Sequence, residues 1–275
     1  MALGCARLGS VLTPMGHGES LELLRRALSL GIRHFDTASV YGQGNSEQLI
    51  GRAVQGCRSE VCVATKAGQR LTATQTFAAR FKTPLRFLAK HCSSVRARVA
   101  KQRQAGLNSC FEPGFLQRSL EQSLMRLRTD YVDIFYLHGP SVEVLGRDDV
   151  LWCLHRMQAS GKARALGVSC ESAEQVATCI RLEGISIVQT PLPTQQEHVE
   201  AFAVAAQCGK AILVRLGPPP AHIGSTGEIT RTFQQRLCTM LDLRGVVGVI
   251  VGTTHLSHLE QDVAAWQSAL TQRRL

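Results

Sequence analysis

A closed (β/α)8 TIM barrel, an α/β fold, is the architecture this sequence predicts, and three observations predict it. Strand-like and helix-like runs alternate from one end of the 275 residues to the other. Eight such pairs can be counted, the number that a barrel of about 250 residues requires. All but one of the links between them are short, which calls for a parallel sheet. An open doubly wound sheet is the competing architecture. The first strand–helix turn, LGSVLTPMGHGES, carries no G-x-G-x-x-G fingerprint to support it.

The elements follow in order. The first strand is expected around residues 5–8. In ESLELLRRALSLG, Leu21, Leu24 and Leu28 fall on one helical stripe that stops at Gly31, a residue suited to a left-handed helix end. Residues 32–35 read as the second strand and 45–54 as its helix. The third strand is 61–65, with its helix at 115–127, and 131–137 is a strongly apolar fourth strand. Helix 148–159, strand 163–168, helix 172–182, strand 185–189, helix 196–208 and strand 211–215 continue the pattern. A helix near 229–241, the strand 246–251 and a helix carrying Leu256, Leu259, Val263, Trp266 and Leu270 complete the count. No internal repeat or low-complexity linker interrupts it, so residues 1–275 read as a single domain.

The exception to short links is the stretch between the third strand and its helix. Connections this long are uncommon in compact domains and are usually functional. Residues 67–111 contain Arg70, Arg80, Lys82, Arg86, Lys90, Arg96, Arg98, Lys101 and Arg103, and no Asp or Glu. The chain has 31 Lys and Arg against 21 Asp and Glu, a net charge of +10. Nearly all of that excess therefore lies in a basic insert at about 67–113. It begins beside the carboxyl end of the third strand. It is expected to fold partly over the barrel mouth and to attract an anionic substrate or cofactor phosphates. The alternative is a solvated, merely basic helical pair.

Composition excludes several classes. Hydrophobic residues at 44% and charged residues at 19% supply a core and rule out a disordered chain. Apolar runs such as Val246–Val251 are far too short for a bilayer. The opening MALGCARLGS has neither a basic n-region nor a long apolar h-region. Ten cysteines are spread with no C-x-x-C pair, which predicts free thiols in a reducing cytoplasm and no metal site. No nucleic-acid-binding motif accompanies the basic charge. The expected partner is a small molecule, with neither nucleic acid nor membrane, and nothing in the sequence sets the oligomeric state.

Catalytic groups in such barrels come from the carboxyl ends of several strands. Those ends carry Asp36, with Tyr41 five residues on, then Lys66, His138, Ser169 and Gln189; the eighth strand runs into Gly252, Thr253 and Thr254. Singly, each has a bland explanation: an ion-pair half, a packing ring, a satisfied histidine. Together, a carboxylate, a phenol, an ammonium and an imidazole form an acid–base set. A tyrosine with pKa near 10 is a poor catalyst at neutral pH. A neighbouring lysine should lower that pKa, and an aspartate should hold the lysine. The phenol could then give a proton to a carbonyl oxygen or take one from an alcohol, beside an orienting imidazole.

The same residues stand in segments that resemble the successive signatures of the aldo-keto reductases. These are GIRHFDTASVYGQGNSEQLIG, VATKAG, SLEQSLMRLRTDYVDIFYLHGP, GKARALGVS and VGTTHLSHLEQD, in the family's order. The resemblance runs from about residue 8 to residue 266. It implies an NAD(P)(H)-dependent oxidoreductase acting on an aldehyde, ketone, alcohol or sugar. By motif position Asp36, Tyr41, Lys66 and His138 are similar to the family's catalytic tetrad. Ser169 and Gln189 would bond the nicotinamide carboxamide, and Gly252, Thr253 and Thr254 would meet the phosphates. Arg215, His258, Gln261 and Asp262 complete the implied cofactor set.

Three departures stand out. Cys170 replaces the usual Asn after Ser169, and a thiol is a weak donor and acceptor. Leu192 replaces an aromatic expected to stack on the nicotinamide. The loop after the eighth strand lacks the Lys and Arg many relatives use on the 2′-phosphate, with Gly252 and His258 there instead. NADP(H) is expected ahead of NAD(H), with the choice open. The departures also motivate an alternative, a cofactor-binding regulatory relative with little or no turnover. A Schiff base on Lys66 is a further reading that the intact set disfavours.

Overall fold

A computed structural model describes residues 1–10, 13, 15–70, 72, 107–193, 196–217 and 226–274. Ten strands lie among them: β1 Ala2–Gly4, β2 His34–Asp36, β3 Cys62–Ala67, β4 Gln69–Arg70, β5 Asn108–Ser109, β6 Val132–His138, β7 Ala163–Ser169, β8 Ile185–Pro191, β9 Ala211–Leu216 and β10 Val246–Val251. The helices are α1 His17–Ser29, α2 Asn45–Ala53, α3 Pro113–Leu127, α4 Val142–Leu145, α5 Asp148–Ala159, α6 Ala173–Ile180, α7 Gln196–Gln207, α8 Thr226–Asp242 and α9 Leu256–Arg274. Eight parallel strands close a barrel in the order β1-β10-β9-β8-β7-β6-β3-β2, and β4 pairs with β5 outside it.

Local sequence explains most of these elements. In α1, Leu23, Leu24 and Ala27 form the buried stripe, and Glu19 reaches back to the Gly16 N–H that precedes the first turn. Gly31 takes φ +85° just past its end, and the Ile32 N–H returns to the Ala27 carbonyl at 3.0 Å. The strands β6 to β10 are mostly apolar and do not strictly alternate, because their helices cover one face and the barrel interior the other. Most of the large buried side chains form one shell between sheet and helices. Inside the barrel, Ala2, Leu213 and Ile250 make one small cluster and Ala64, Ile134 and Tyr136 another. Gly167 makes room for the Tyr136 ring: a Cβ there would stand 2.5 Å from Tyr136 Cε1.

The first strand departs from expectation. It is Ala2–Gly4, where Leu3 pairs with both Val251 and Phe35, and Gly4 with Asp36. Residues 5–8 form a turn instead, with the Leu8 N–H on the Cys5 carbonyl at 3.1 Å and Gly9 at φ +65°. Cys5 and Leu8 are buried there without a ladder. Their apolar character reports burial, and the flanking strands, not the local sequence, decide which residues pair.

The basic insert is anchored at the mouth. Its two ends meet in the antiparallel pair β4–β5, with Gln69 opposite Ser109 and Arg70 opposite Asn108. The Cys110 N–H closes on the Gly68 carbonyl at 2.8 Å, and the Phe111 ring fills the place a Gly68 side chain would need. Arg70 is described and exposed. Arg80, Lys82, Arg86, Lys90, Arg96, Arg98, Lys101 and Arg103 lie outside the described residues. Among the described residues no helix is long and apolar enough to cross a membrane.

Candidate active site

Five consecutive barrel strands, β2, β3, β6, β7 and β8, carry Asp36, Lys66, His138, Ser169 and Gln189 at or near their carboxyl ends. A parallel barrel points all these ends one way, so residues from distant sequence positions share one mouth. Lys66 and Asp36 are 1% and 4% exposed. The Lys66 ammonium donates to both Asp36 carboxylate oxygens, at 2.6 and 2.5 Å, and to the Thr37 carbonyl at 2.9 Å. Gln189 Nε2 donates to Asp36 Oδ1 at 2.7 Å, and Ser169 Oγ donates to Gln189 Oε1 at 3.0 Å. One hydrogen-bonded chain thus runs Ser169–Gln189–Asp36–Lys66.

Tyr41 heads the tight 3₁₀ turn Tyr41–Gly44 after β2. Its ring meets His138 edge-on, centroids 5.7 Å apart and planes at 88°. The Lys66 ammonium lies 5.5 Å from the Tyr41 ring centre. His138 Nδ1 is buried and has no hydrogen-bond partner among the described residues.

The electrostatics correct one expectation. The Tyr41 phenol is pushed above its ordinary value, not below it; burial is the main cause and the Asp36 charge adds to it, with Arg215 opposing. Burial explains the reversal. Desolvation leads, and the carboxylate that engages Lys66 still acts on the phenol as a raising charge. Burial also lowers Lys66, against the pull of Asp36. His138 falls to about 3, through burial first and then the Lys66 and Arg215 charges. At neutral pH the site therefore presents a protonated phenol and an uncharged imidazole.

The remaining cofactor candidates divide into two groups. At the mouth, Arg215 on β9 donates through Nη2 to the Cys170 carbonyl and the Glu171 carboxylate, both at 2.8 Å, while its Nε is buried with no hydrogen-bond partner among the described residues. The Cys170 thiol is fully buried 3.7 Å from the Cys179 Sγ of α6. That contact, with burial, raises it well above the usual thiol range. Its side chain is committed to the helix layer. Leu192 is partly buried and packs on the main core.

At the carboxyl end of β10, Gly252, Thr253 and Thr254 lead toward α9. The His255 N–H donates to Thr253 Oγ1 at 3.2 Å. His258 is exposed, with its ring 5.0 Å from that of His255. Gln261 is exposed, and the half-buried Asp262 is pushed up to about 7 by burial. Ser169 and Gln189, paired in register, offer the hydroxyl and amide a carboxamide needs. Arg215 and the start of α9 offer positive ends suited to phosphates. These residues suit a nicotinamide dinucleotide; Cys170 does not contribute to that fit. Among the described residues no three His, Cys, Asp or Glu side chains gather as a metal site would require.

The sequence profile of the Aldo/keto reductase family matches residues 1–210. The chain belongs to this family. Aldo-keto reductase YhdN of Bacillus subtilis is 30% identical over 183 residues, covering 66% of this chain and 46% of the relative. The match thus spans less than half of that relative's length. A solved aldo-keto reductase from Pseudomonas aeruginosa superposes with a TM-score of 0.75 at 24% identity, covering 98% of this chain and 89% of the other. An aldo-keto reductase from Klebsiella pneumoniae, solved in complex with NADPH, gives 0.68 at 19% identity, covering 98% and 88%. At these identities the two structures establish the barrel fold.

Within this aldo/keto reductase, several buried polar residues near the mouth were not expected from sequence. Thr37 supplies the third acceptor for Lys66, and Ser46, Glu47 and Thr65 are all buried with hydrogen bonds. Ser46 and Glu47 fall in a signature segment, but nothing in their local pattern separates them from solvated helix residues.

Proposed function

We propose that this aldo/keto reductase reduces an aldehyde or ketone to an alcohol, or runs the reverse reaction, with NADP(H) and with Tyr41 as general acid/base. The observation that carries the reading is the buried bidentate Lys66–Asp36 pair, its ammonium 5.5 Å from the Tyr41 ring centre, with the His138 ring edge-on to the same tyrosine. The bound cofactor supplies or accepts the hydride. Tyr41, holding its proton in the free protein, gives it to the carbonyl oxygen in reduction. Lys66 stabilises the phenolate as the proton leaves, and Asp36 keeps the lysine in place. His138, neutral, hydrogen-bonds and orients the same oxygen. Ser169 and Gln189 hold the carboxamide, while Arg215, Gly252, Thr253, Thr254, His258, Gln261 and Asp262 serve the rest of the cofactor.

NADP(H) is preferred over NAD(H) because a fold relative is named in complex with NADPH and a fission-yeast relative is named for NADP(+). An anionic substrate is supported by the β4–β5 neck, through which the basic segment leaves and rejoins the mouth. The pairing of β1 with β10 favours residues 1–275 acting as one barrel domain. The dispersed cysteines favour the cytoplasm.

Tyr41→Phe tests the assignment. It should nearly abolish turnover of a carbonyl panel with NADPH while cofactor affinity, read by fluorescence titration, stays close to normal. Retained turnover refutes the role of Tyr41. A second reading, a cofactor-binding regulator with little turnover, is favoured by the inward commitment of Cys170. Cofactor binding by the wild type without turnover of any carbonyl would select it.

A further inference from the structure

The turn that carries Tyr41 is cross-linked to Lys66 by two buried side chains that play no part in the chemistry above. The turn itself is tight. Gly42 and Gln43 have φ of 54° and 58°, and Gly42 lies so close to the Leu8 carbonyl that a Cβ would approach it to 2.7 Å. It runs directly into α2, whose second and third residues are Ser46 and Glu47, both fully buried.

Ser46 Oγ accepts from Thr37 Oγ1 at 2.8 Å and donates to the Cys5 carbonyl at 2.9 Å. Thr37 follows Asp36, and its carbonyl accepts from Lys66 Nζ at 2.9 Å. Glu47 Oε1 accepts from Thr65 Oγ1 at 2.6 Å, and Thr65 directly precedes Lys66. Its other oxygen accepts from Arg126 Nε, also at 2.6 Å. The Arg126 stem in turn lies against Gly44, the last residue of the Tyr41 turn, where a Cβ would come within 2.7 Å of Arg126 Cδ.

We propose that Ser46 and Glu47 are positioning residues that set the Tyr41 phenol against the Lys66–Asp36 pair. This rests on Tyr41 being the acid/base. A buried carboxylate is costly to maintain unless its lone pairs are filled, and both Glu47 oxygens are filled, one by Thr65 of β3 and one by Arg126 of α3. The two cross-links grip the backbone next to each member of the pair: Thr37 after Asp36 and Thr65 before Lys66. Displacement of α2 would carry Tyr41 away from an ammonium whose own position is fixed by three acceptors. Small misplacements of reacting groups are amplified in rate, so the links act on kcat more than on binding.

The test uses the full chain labelled with 3-fluorotyrosine. The sequence has three tyrosines, Tyr41, Tyr131 and Tyr136; Tyr41→Phe assigns the first line in the fluorine spectrum. Glu47→Gln and the milder Thr65→Val are compared with wild type, the second covering the case in which the first does not fold. The expected result is a shifted or split Tyr41 line with the Tyr131 line unchanged. With it should come a roughly tenfold to hundredfold loss in kcat at nearly constant KM and cofactor affinity. A folded Thr65→Val protein whose Tyr41 line and kcat match wild type overturns the proposal, and so does a lowered melting temperature with both unmoved. If the Tyr41 line moves but the wild type turns over no carbonyl, the functional reading fails and the positioning stands.

Discussion

Replacing Asp36 by Asn removes one charge and almost no volume, so it isolates the electrostatics of the buried pair. Lys66 would keep the Thr37 carbonyl and one amide oxygen as acceptors but would lose the countercharge that its ammonium contacts at 2.6 and 2.5 Å. Breaking a buried ion pair by removing one partner costs about 3–5 kcal/mol. The retained amide acceptor puts the expected loss near the lower end, about 3 kcal/mol at neutral pH. The pH dependence has a definite sign. Burial already lowers the folded pKa of Lys66 below 10.5, and Asp36 is the main force opposing that shift. Without the carboxylate the folded pKa drops further. Between that value and 10.5 the unfolded chain binds more protons than the folded one, so stability rises with pH, by at most about 1.4 kcal/mol per unit. Urea unfolding near pH 6.5, 8 and 9.5 measures this. The loss in Asp36→Asn should be largest at the lowest pH and shrink as pH rises. A loss below about 1 kcal/mol, or one that does not change with pH, refutes the reasoning.

Two further outcomes follow from single groups. His138 has its folded pKa lowered from 6.5 to about 3 by burial, so its contribution to stability is complete above 6.5 and is lost as pH falls toward 3. His138→Asn should therefore lose melting temperature less steeply than wild type over that interval; parallel curves would contradict it. Asp262 is shifted the other way, from 3.8 up to about 7, so the folded protein loses stability as pH rises across that window. Asp262→Asn should melt higher than wild type at about pH 8 and differ little near pH 4, by scanning calorimetry.

The site was legible in sequence to the extent that strand ends can be located. Asp36, Lys66, His138, Ser169 and Gln189 terminate or nearly terminate runs whose apolar character marks buried strands, and the barrel's parallel direction does the rest. The first strand is not legible in sequence because Ala2–Gly4 has too few side chains to show a period, and its pairing depends on β2 and β10, both remote in sequence. The β4–β5 neck escaped for the same reason, with only two residues on each side. Cys170 stands out in the sequence as an unusual residue, but its contact with Cys179 depends on how α6 packs. Glu47 looks like any helical glutamate until Thr65 and Arg126 are brought to it from β3 and α3.

The sequence alone determined the alternation of elements, hence the barrel, and the order of acid–base residues around its mouth. Both are set by side-chain period and by position along the chain, which are covalent facts. The tertiary structure decided the protonation behaviour of those residues. A lysine near a tyrosine should lower the phenol's pKa, yet Tyr41 is raised, because the surrounding core removes water and the Asp36 charge adds to the shift. Desolvation is a property of everything packed around a group, drawn here from strands far apart in sequence. No local pattern encodes it.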